Sequence, residues 1–174
     1  MNLTRKFAVI IACLWALGTG PALGQDYGPY GYGAGGGSVG VGFDWEGFYS
    51  GVYGGGVPMG DDRSYIAGVF AGVNAQVDSA LLGVEAQLGG DFGDDFSLDA
   101  MVMGRGGAIL NPDLLVYGTV GTGLVKGDFG YAFGGGAEYG VTDYLSVRGE
   151  ALGTGEWGNG PDTVRLGAGL AFHL

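Results

Sequence analysis

The last twelve residues of the chain, 163–174, alternate between apolar side chains and small or polar ones. Leu166, Leu170 and Phe172 are on the apolar side, whereas Arg165 and two glycines are on the other. Because successive side chains of a strand point to opposite faces, this pattern predicts a strand with one apolar and one polar face. Such a strand at the end of a chain has a free edge, which closure of the sheet into a barrel removes. The pattern therefore favours a closed barrel.

Seven further alternating runs precede this strand, and turn signals rich in Gly, Pro, Asn and Asp separate them. Most runs are near the roughly ten residues that a tilted strand needs to cross a bilayer, and an even number of runs is typical of membrane barrels. No stretch after residue 25 has the apolar length of a spanning helix. We therefore predict an all-β fold, an eight-stranded antiparallel up-and-down transmembrane β-barrel over residues 45–174. The predicted strands are 45–57, 65–77, 80–88, 96–110, 114–125, 129–139, 144–153 and 163–174.

The first 24 residues have the layout of a secretory signal peptide. A basic start is followed by the apolar run 7–17, and Ala22 and Gly24 are small residues at the spacing of a cleavage site. The Gly/Tyr-rich segment 25–44 that follows offers little apolar surface to bury, so we expect it to be flexible. A spanning helix and a lipid-modified Cys13 are the alternatives for the leader. Cys13 is the one cysteine of the sequence, so the exported chain has no thiol chemistry.

The charge of the chain is strongly acidic. Residues 1–24 contain two basic and no acidic residues, so the 7 basic and 18 acidic residues of the whole chain become 5 and 18 without them, a net charge of −13. A surface this negative repels phosphate backbones, which argues against nucleic acid as a partner. The acidic residues of the predicted loops lack the ligand spacing of a dedicated calcium site, so we expect a solvated rim. They are Asp61, Asp62, Asp91, Asp94, Asp95, Glu156 and Asp162.

The polar face of the predicted strands carries charged side chains of both signs. They are Glu85, Arg105, Glu138, Arg148, Glu150 and Arg165. A soluble lipocalin-like barrel is the alternative, but it would turn its apolar face inward. The charged face found here would be a poor lining for the cavity of an apolar ligand. The interior of an eight-stranded barrel is just wide enough for side chains to fill, and a lone buried charge is costly, so we expect these groups to pair into an ionic plug. A slender polar conduit that opens when pairs exchange is the alternative, because Gly134 and Gly136 leave room inside.

Aromatic residues concentrate near the predicted strand ends. Rings with an apolar body and a polar edge gather at membrane interfaces, so we expect an aromatic girdle at the two rims. The predicted girdle residues are Trp45, Tyr49, Tyr117, Tyr139, Tyr144, Trp157 and Phe172. Short turns at one rim and longer acidic loops at the other are also typical of outer-membrane barrels.

Several motifs resemble those of one family. Residues 45–51, Trp-Glu-Gly-Phe-Tyr-Ser-Gly, are similar to the opening of the first strand in small Gram-negative outer-membrane β-barrel proteins, the porin-family or opacity-type group related to the OmpA membrane domain. Residues 82–85, 136–139 and 145–150 resemble its third, sixth and seventh strands. The resemblance implies a place in the bacterial outer membrane, with outer-membrane lipids and the barrel-insertion machinery as partners. Members typically end in an aromatic residue, whereas here Phe172 is followed by two more residues.

The sequence offers little for catalysis, and we expect no catalytic, cofactor-binding or metal-binding residues. His173 is the one histidine, a poor ligand set by itself, and the sequence places no serine beside it. Our first hypothesis is a structural, surface-exposed outer-membrane barrel. The alternative is a narrow diffusion pore for small polar solutes or ions. An outer-membrane lipid-modifying enzyme is the remote alternative.

Overall fold

The described part of the chain forms a closed sheet of antiparallel strands. A computed structural model describes residues 42–58, 64–93 and 96–174, so the predicted signal peptide 1–24 and positions 25–41 of the predicted Gly/Tyr-rich segment lie outside the described residues. The strands are β1 (Gly47–Gly56), β2 (Tyr65–Val77), β3 (Ala80–Phe92), β4 (Phe96–Asn111), β5 (Leu114–Val125), β6 (Asp128–Gly140), β7 (Leu145–Glu156) and β8 (Thr163–His173). Each strand pairs with the next, and β1 pairs with β8. The predicted eight-stranded up-and-down barrel is confirmed.

Side chains alternate between the outside and the inside of the barrel along every strand. On β8, Leu166, Leu170 and Phe172 are 43–50% exposed, whereas Arg165 is 5% exposed and faces the interior. The same alternation puts apolar residues such as Val120 on the outside of the other strands. An exposed apolar belt that surrounds a whole barrel is far larger than the patches of soluble monomers, and it marks a wall that faces lipid. Across the described residues, no helix has the length and apolarity needed to cross a membrane.

The connections at one end of the barrel are all short turns, whereas two of those at the other end are longer loops. The terminal end carries the entry to β1, the end of β8 and the turns 78–79, 112–113 and 141–144. The loop end carries the connections 57–64, 93–95, 126–127 and 157–162. Positions 59–63 and 94–95 of these connections lie outside the described residues, and with them Asp61, Asp62, Asp94 and Asp95.

Strand β3 extends four residues beyond its predicted end. Residues 89–95 were predicted to form an acidic loop, but the strand continues to Phe92, and Asp91 is 3% exposed. Gly89 and Gly90 pair with β4 like the rest of the strand, yet they carry no side chain that could show alternation in the sequence. The prediction of Asp91 as a loop residue is therefore wrong, and its carboxylate faces the barrel interior.

The lipid-facing wall can be tested by placing a charge on it. Val120 is 64% exposed near the middle of β5, and Val141 is 54% exposed in the turn after β6. We expect Val120→Arg to lower the free energy of unfolding by about 2–4 kcal/mol and the matched Val141→Arg to lower it by about 0–1 kcal/mol, because the cost falls from the bilayer midplane to the interface. Urea titration of the barrel in lipid vesicles measures both. Equal costs at the two positions would contradict the assignment of the wall.

Candidate functional site

The barrel lumen contains all six charged residues that the sequence singled out. Glu85, Arg105, Glu138, Arg148 and Arg165 are 1–6% exposed, and Glu150 is partly buried. They come from five strands, β3, β4, β6, β7 and β8, and each occupies an inward position of its strand.

A central ionic network, defined here as Glu85, Arg105, Glu138 and Arg148, links four of these strands. The Arg148 guanidinium donates to both oxygens of Glu85, with Nη1–Oε2 2.6 Å and Nη2–Oε1 3.1 Å. Arg105 Nη2 donates to Glu138 Oε2 at 2.8 Å, and its Nη1 lies 3.7 Å from Glu85 Oε2. Because β3 and β7 are four strands apart in either direction, the Glu85–Arg148 pair spans the full diameter of the barrel.

A second ion pair crosses the lumen nearer the loop end. Arg165 Nη1 donates to Asp99 Oδ2 at 2.6 Å, which joins β8 to the opposite strand β4. Asp91 Oδ2 lies 3.8 Å from Arg165 Nη2, and Asp99 Oδ1 also accepts the backbone N–H of Lys126 at 2.6 Å. The predicted network omitted both aspartates. Asp99 has the same strand parity as Arg105, and that signal could have identified it.

Between the two levels lies a small cavity of about 30 Å³, lined among others by Arg148, Glu150, Asp99 and Arg165. Glu150 accepts a hydrogen bond from the Tyr117 hydroxyl at 2.9 Å, and no ion pair involves it among the described residues. A space of this size holds one or a few waters, since one water occupies about 30 Å³ in the liquid. The cavity is therefore a pocket for a few waters in a lumen that side chains otherwise fill.

Three of the predicted girdle residues lie inside the barrel, so this part of the prediction is wrong. Trp45 and Tyr49 are 1% exposed and Tyr117 is 4% exposed. On β1, Phe48 and Val52 face outward, so the parity of the strand turns Tyr49 inward, where it donates to Glu85 at 2.8 Å. Parity likewise turns Tyr117 inward, between the outward positions 116 and 118 of β5. Trp45 precedes β1 and folds under the barrel instead of onto its wall.

The interior aromatic rings contact the buried guanidinium groups. The Cζ atom of Arg105 lies 4.1 Å from the centroid of the Tyr117 ring, and that of Arg148 lies 3.6 Å from the centroid of Phe70. A cation over a ring face is attracted by the ring quadrupole, and the attraction is stronger where water is excluded. These rings therefore stabilise charges that the lumen would otherwise leave poorly solvated.

The other four predicted girdle residues lie on the outside. Tyr139, Tyr144, Trp157 and Phe172 are 49–60% exposed. Tyr144 and Phe172 stack with ring centroids 6.5 Å apart at the terminal end. At the loop end, Trp157 Nε1 donates to Thr122 Oγ1 at 3.0 Å. Each barrel rim therefore carries outward aromatic side chains.

The single histidine lies against a serine and a carboxylate at the terminal end. His173 Nε2 is 3.3 Å from Ser146 Oγ and 3.2 Å from Glu138 Oε1, and Ser146 donates to the same Glu138 oxygen at 2.6 Å. A hydrolase triad uses one ring nitrogen for the serine and the other for the carboxylate. Here both partners contact Nε2, whereas Nδ1 has no hydrogen-bond partner in the described part of the chain. The Ser146 hydroxyl thus donates to Glu138, and the arrangement differs from that of a hydrolase triad.

Within residues 42–58, 64–93 and 96–174, no group of three or more His, Cys, Asp or Glu side chains has an arrangement that could hold a metal ion.

Comparison with known proteins agrees with a barrel of the outer membrane. No family model matches the chain. The chain is 34% identical over 167 residues to the 22 kDa outer membrane protein of Rhizobium leguminosarum bv. viciae, with 74% of this chain and 78% of that protein covered. Among solved structures, a de novo designed transmembrane β-barrel aligns with a TM-score of 0.53 and 16% identity, over 76% of this chain and 99% of the design. The likeness to the design concerns the fold alone.

Fold, wall and lumen together define the class of protein. A closed eight-stranded barrel with an apolar outside and a charged inside is an integral outer-membrane β-barrel. The chain belongs to the family of the 22 kDa outer membrane protein. The predicted location in the bacterial outer membrane is confirmed.

The corrected positions of the tryptophans can be tested with brominated lipid, which quenches only rings that contact acyl chains. Trp45 is 1% exposed inside the barrel, and Trp157 is 60% exposed at the loop-end rim, directly after β7. We expect brominated phospholipid to quench the fluorescence of a Trp15→Phe/Trp45→Phe variant, in which Trp157 remains. The matched Trp15→Phe/Trp157→Phe variant should be quenched little. Comparable quenching of the two variants would contradict the interior position of Trp45 and support its place in the aromatic girdle.

Loss of one partner of the full-diameter pair should be costly. We expect Arg148→Met to lower the free energy of unfolding by about 3–5 kcal/mol, because it leaves Glu85 buried without its bidentate partner. The double variant Glu85→Gln/Arg148→Met should recover most of that loss, because neither position of the pair then carries a charge. Lys126→Met, which removes an exposed cation, should stay within about 0.5 kcal/mol. A cost for Arg148→Met as small as that of the Lys126 control, measured by urea titration in vesicles, would contradict the pairing.

Proposed function

We propose that this protein is a structural, non-catalytic barrel of the outer membrane whose lumen is closed by its own ionic contacts. In this role the barrel contributes a rigid element to the envelope and passes no solute. The observation that carries the proposal is the pair of contacts across the whole diameter at two levels, Glu85–Arg148 and Asp99–Arg165.

A lumen closed by buried ion pairs opens rarely. A conducting path requires the long side chains at both levels to move aside, which separates buried ion pairs. Removing one partner of a buried pair costs about 3–5 kcal/mol. We take separation of a pair inside the lumen to cost about as much, and each 1.4 kcal/mol is about a factor of ten in population. Even one such step keeps the open population at or below about one in a hundred, and two steps in series lower it further. The resting state is therefore closed.

The proposal includes an orientation and a route to the membrane. Outer-membrane barrels have their short turns on the periplasmic side, so the terminal end faces the periplasm and the loop end faces outward. Residues 1–24 direct export, the barrel-insertion machinery assembles the strands, and outer-membrane lipids surround the apolar wall. The exposed Asp128, Glu156 and Asp162 then give the outer rim a negative charge that repels anions.

The second candidate function is a narrow diffusion pore. The cavity between the two levels favours it, because it is unfilled space inside the lumen. The inward glycines of β6 do not add to that space, because a Cβ atom at Gly134 or Gly136 would collide with a backbone carbonyl of β7. An enzyme that modifies lipids is less well supported, since Ser146 is 0% exposed and its proton is directed to Glu138.

Conductance in planar bilayers distinguishes the two main candidates. We expect the barrel, shown to be folded by heat-modifiable gel mobility, to give no steady current above that of lipid alone, because the ion pairs remain closed. A general porin in the same membranes is the positive control. Steady openings whose ion selectivity changes in an Arg148→Gln/Glu150→Gln variant would reject the closed barrel and favour the pore.

A further inference from the structure

The terminal-end mouth of the barrel is covered by the segment that leads into β1. Residues 42–46 do not continue the wall, although 42–44 were predicted to belong to a flexible segment. The backbone N–H of Phe43 donates to the carbonyl of Pro112 at 3.1 Å, and Trp45 Nε1 donates to the same oxygen at 3.3 Å. Because the turn 112–113 leads into β5 and β5 lies opposite β1, the segment crosses the whole width of the mouth.

Contacts on several sides hold this segment in place. Asn74 Nδ2 of β2 donates to the carbonyl of Trp45 at 3.2 Å, and Phe43 N–H also lies 3.3 Å from Asp113 Oδ1. A Cβ atom added at Gly140, the last residue of β6, would collide with the Phe43 ring. The mouth is thus closely fitted to the segment, and glycine at position 140 makes that fit possible.

The two aromatic side chains of the segment form the floor of the lumen. Phe43 and Trp45, 8% and 1% exposed, pack with Leu81, Leu115 and Tyr117 from the surrounding strands. The ring of His173 meets Phe43 edge-on at 4.7 Å between centroids and Trp45 at 5.8 Å. Burial of this much aromatic surface favours the seated position over one in solvent.

We propose that residues 42–46 are a stopper that closes the terminal-end mouth, so that the lumen has a closure separate from the charged network. The stopper excludes water from the Ser146–His173–Glu138 contacts directly above it. It would do so whether or not the ionic network conducts, so this inference does not depend on the proposed function.

Reaction of single cysteines with a charged, water-soluble methanethiosulfonate reagent tests the stopper. Two inward residues of β7 are suitable near-isosteric sites: Ser146, 0% exposed above the stopper, and Thr154, 1% exposed near the loop end. Ser146→Cys and Thr154→Cys are made in a Cys13→Ser background of the full chain, each with and without Phe43→Ala/Trp45→Ala. The purified barrel in detergent exposes both ends to the reagent.

The expected result is specific to one end. Removal of the two rings should raise the reaction rate of Cys at 146 at least about tenfold and leave that of Cys at 154 unchanged, because only the terminal-end mouth loses its buried aromatic cover. The stopper is rejected if Cys at 146 reacts equally fast with and without the rings, or if both sites speed up together. Heat-modifiable mobility checks folding, and Phe43→Ala alone, which keeps Trp45 seated, should give a smaller increase at 146 by the same reasoning. No increase in that variant or the double variant, with both folded, also rejects the stopper.

Discussion

A bilayer interior offers no hydrogen-bond partners, so every backbone N–H and C=O at that depth must be bonded within the protein. Pairing of β1 with β8 meets this demand here, because it leaves none of the eight described strands with a free edge. Closure has a second consequence, since it also encloses a lumen whose contents must be compatible with one another. The alternation of side chains therefore creates two environments. The outer wall carries apolar side chains that contact lipid, and the interior carries charged side chains that pair with one another.

In the hydrogen-bonded ion pairs of the lumen, the charged side chains pair across the barrel interior and not with their neighbours along the wall. Glu138 and Arg148 are direct partners in the register of β6 and β7, yet Glu138 binds Arg105 two strands away and Arg148 binds Glu85 on the opposite side of the barrel. Tyr49 and Tyr117 provide hydroxyl donors to the carboxylates, and ring faces cover the guanidinium groups. This arrangement joins opposite strands, so it rigidifies the cross-section of the barrel in addition to filling it.

The terminal end of the barrel combines aromatic packing with polar side-chain contacts. The contacts of His173 with Ser146 and Glu138 form the lower edge of the charged interior, and Phe43 and Trp45 cover them. At the loop end, Asp99 and Arg165 form the upper level of charge, and Asp99 also receives the N–H of Lys126 from the turn after β5. The proposed closed barrel thus has an aromatic floor at one end and an ion pair toward the other.

The sequence by itself determined the number of strands, the membrane-barrel class and the inward side of the six charged residues, because each residue of a strand indicates its face by parity. Parity also placed Asp99 on the same face as Arg105, although the predicted network omitted it. For Tyr49 and Asp91, the glycines of β1 and β3 weakened the alternating pattern that would have shown their inward positions. Only the tertiary structure decided which charges pair and where residues 42–46 lie. Both depend on closure of the barrel, which brings Arg148 to Glu85 and Phe43 to Pro112 across distances along the chain that no local pattern encodes.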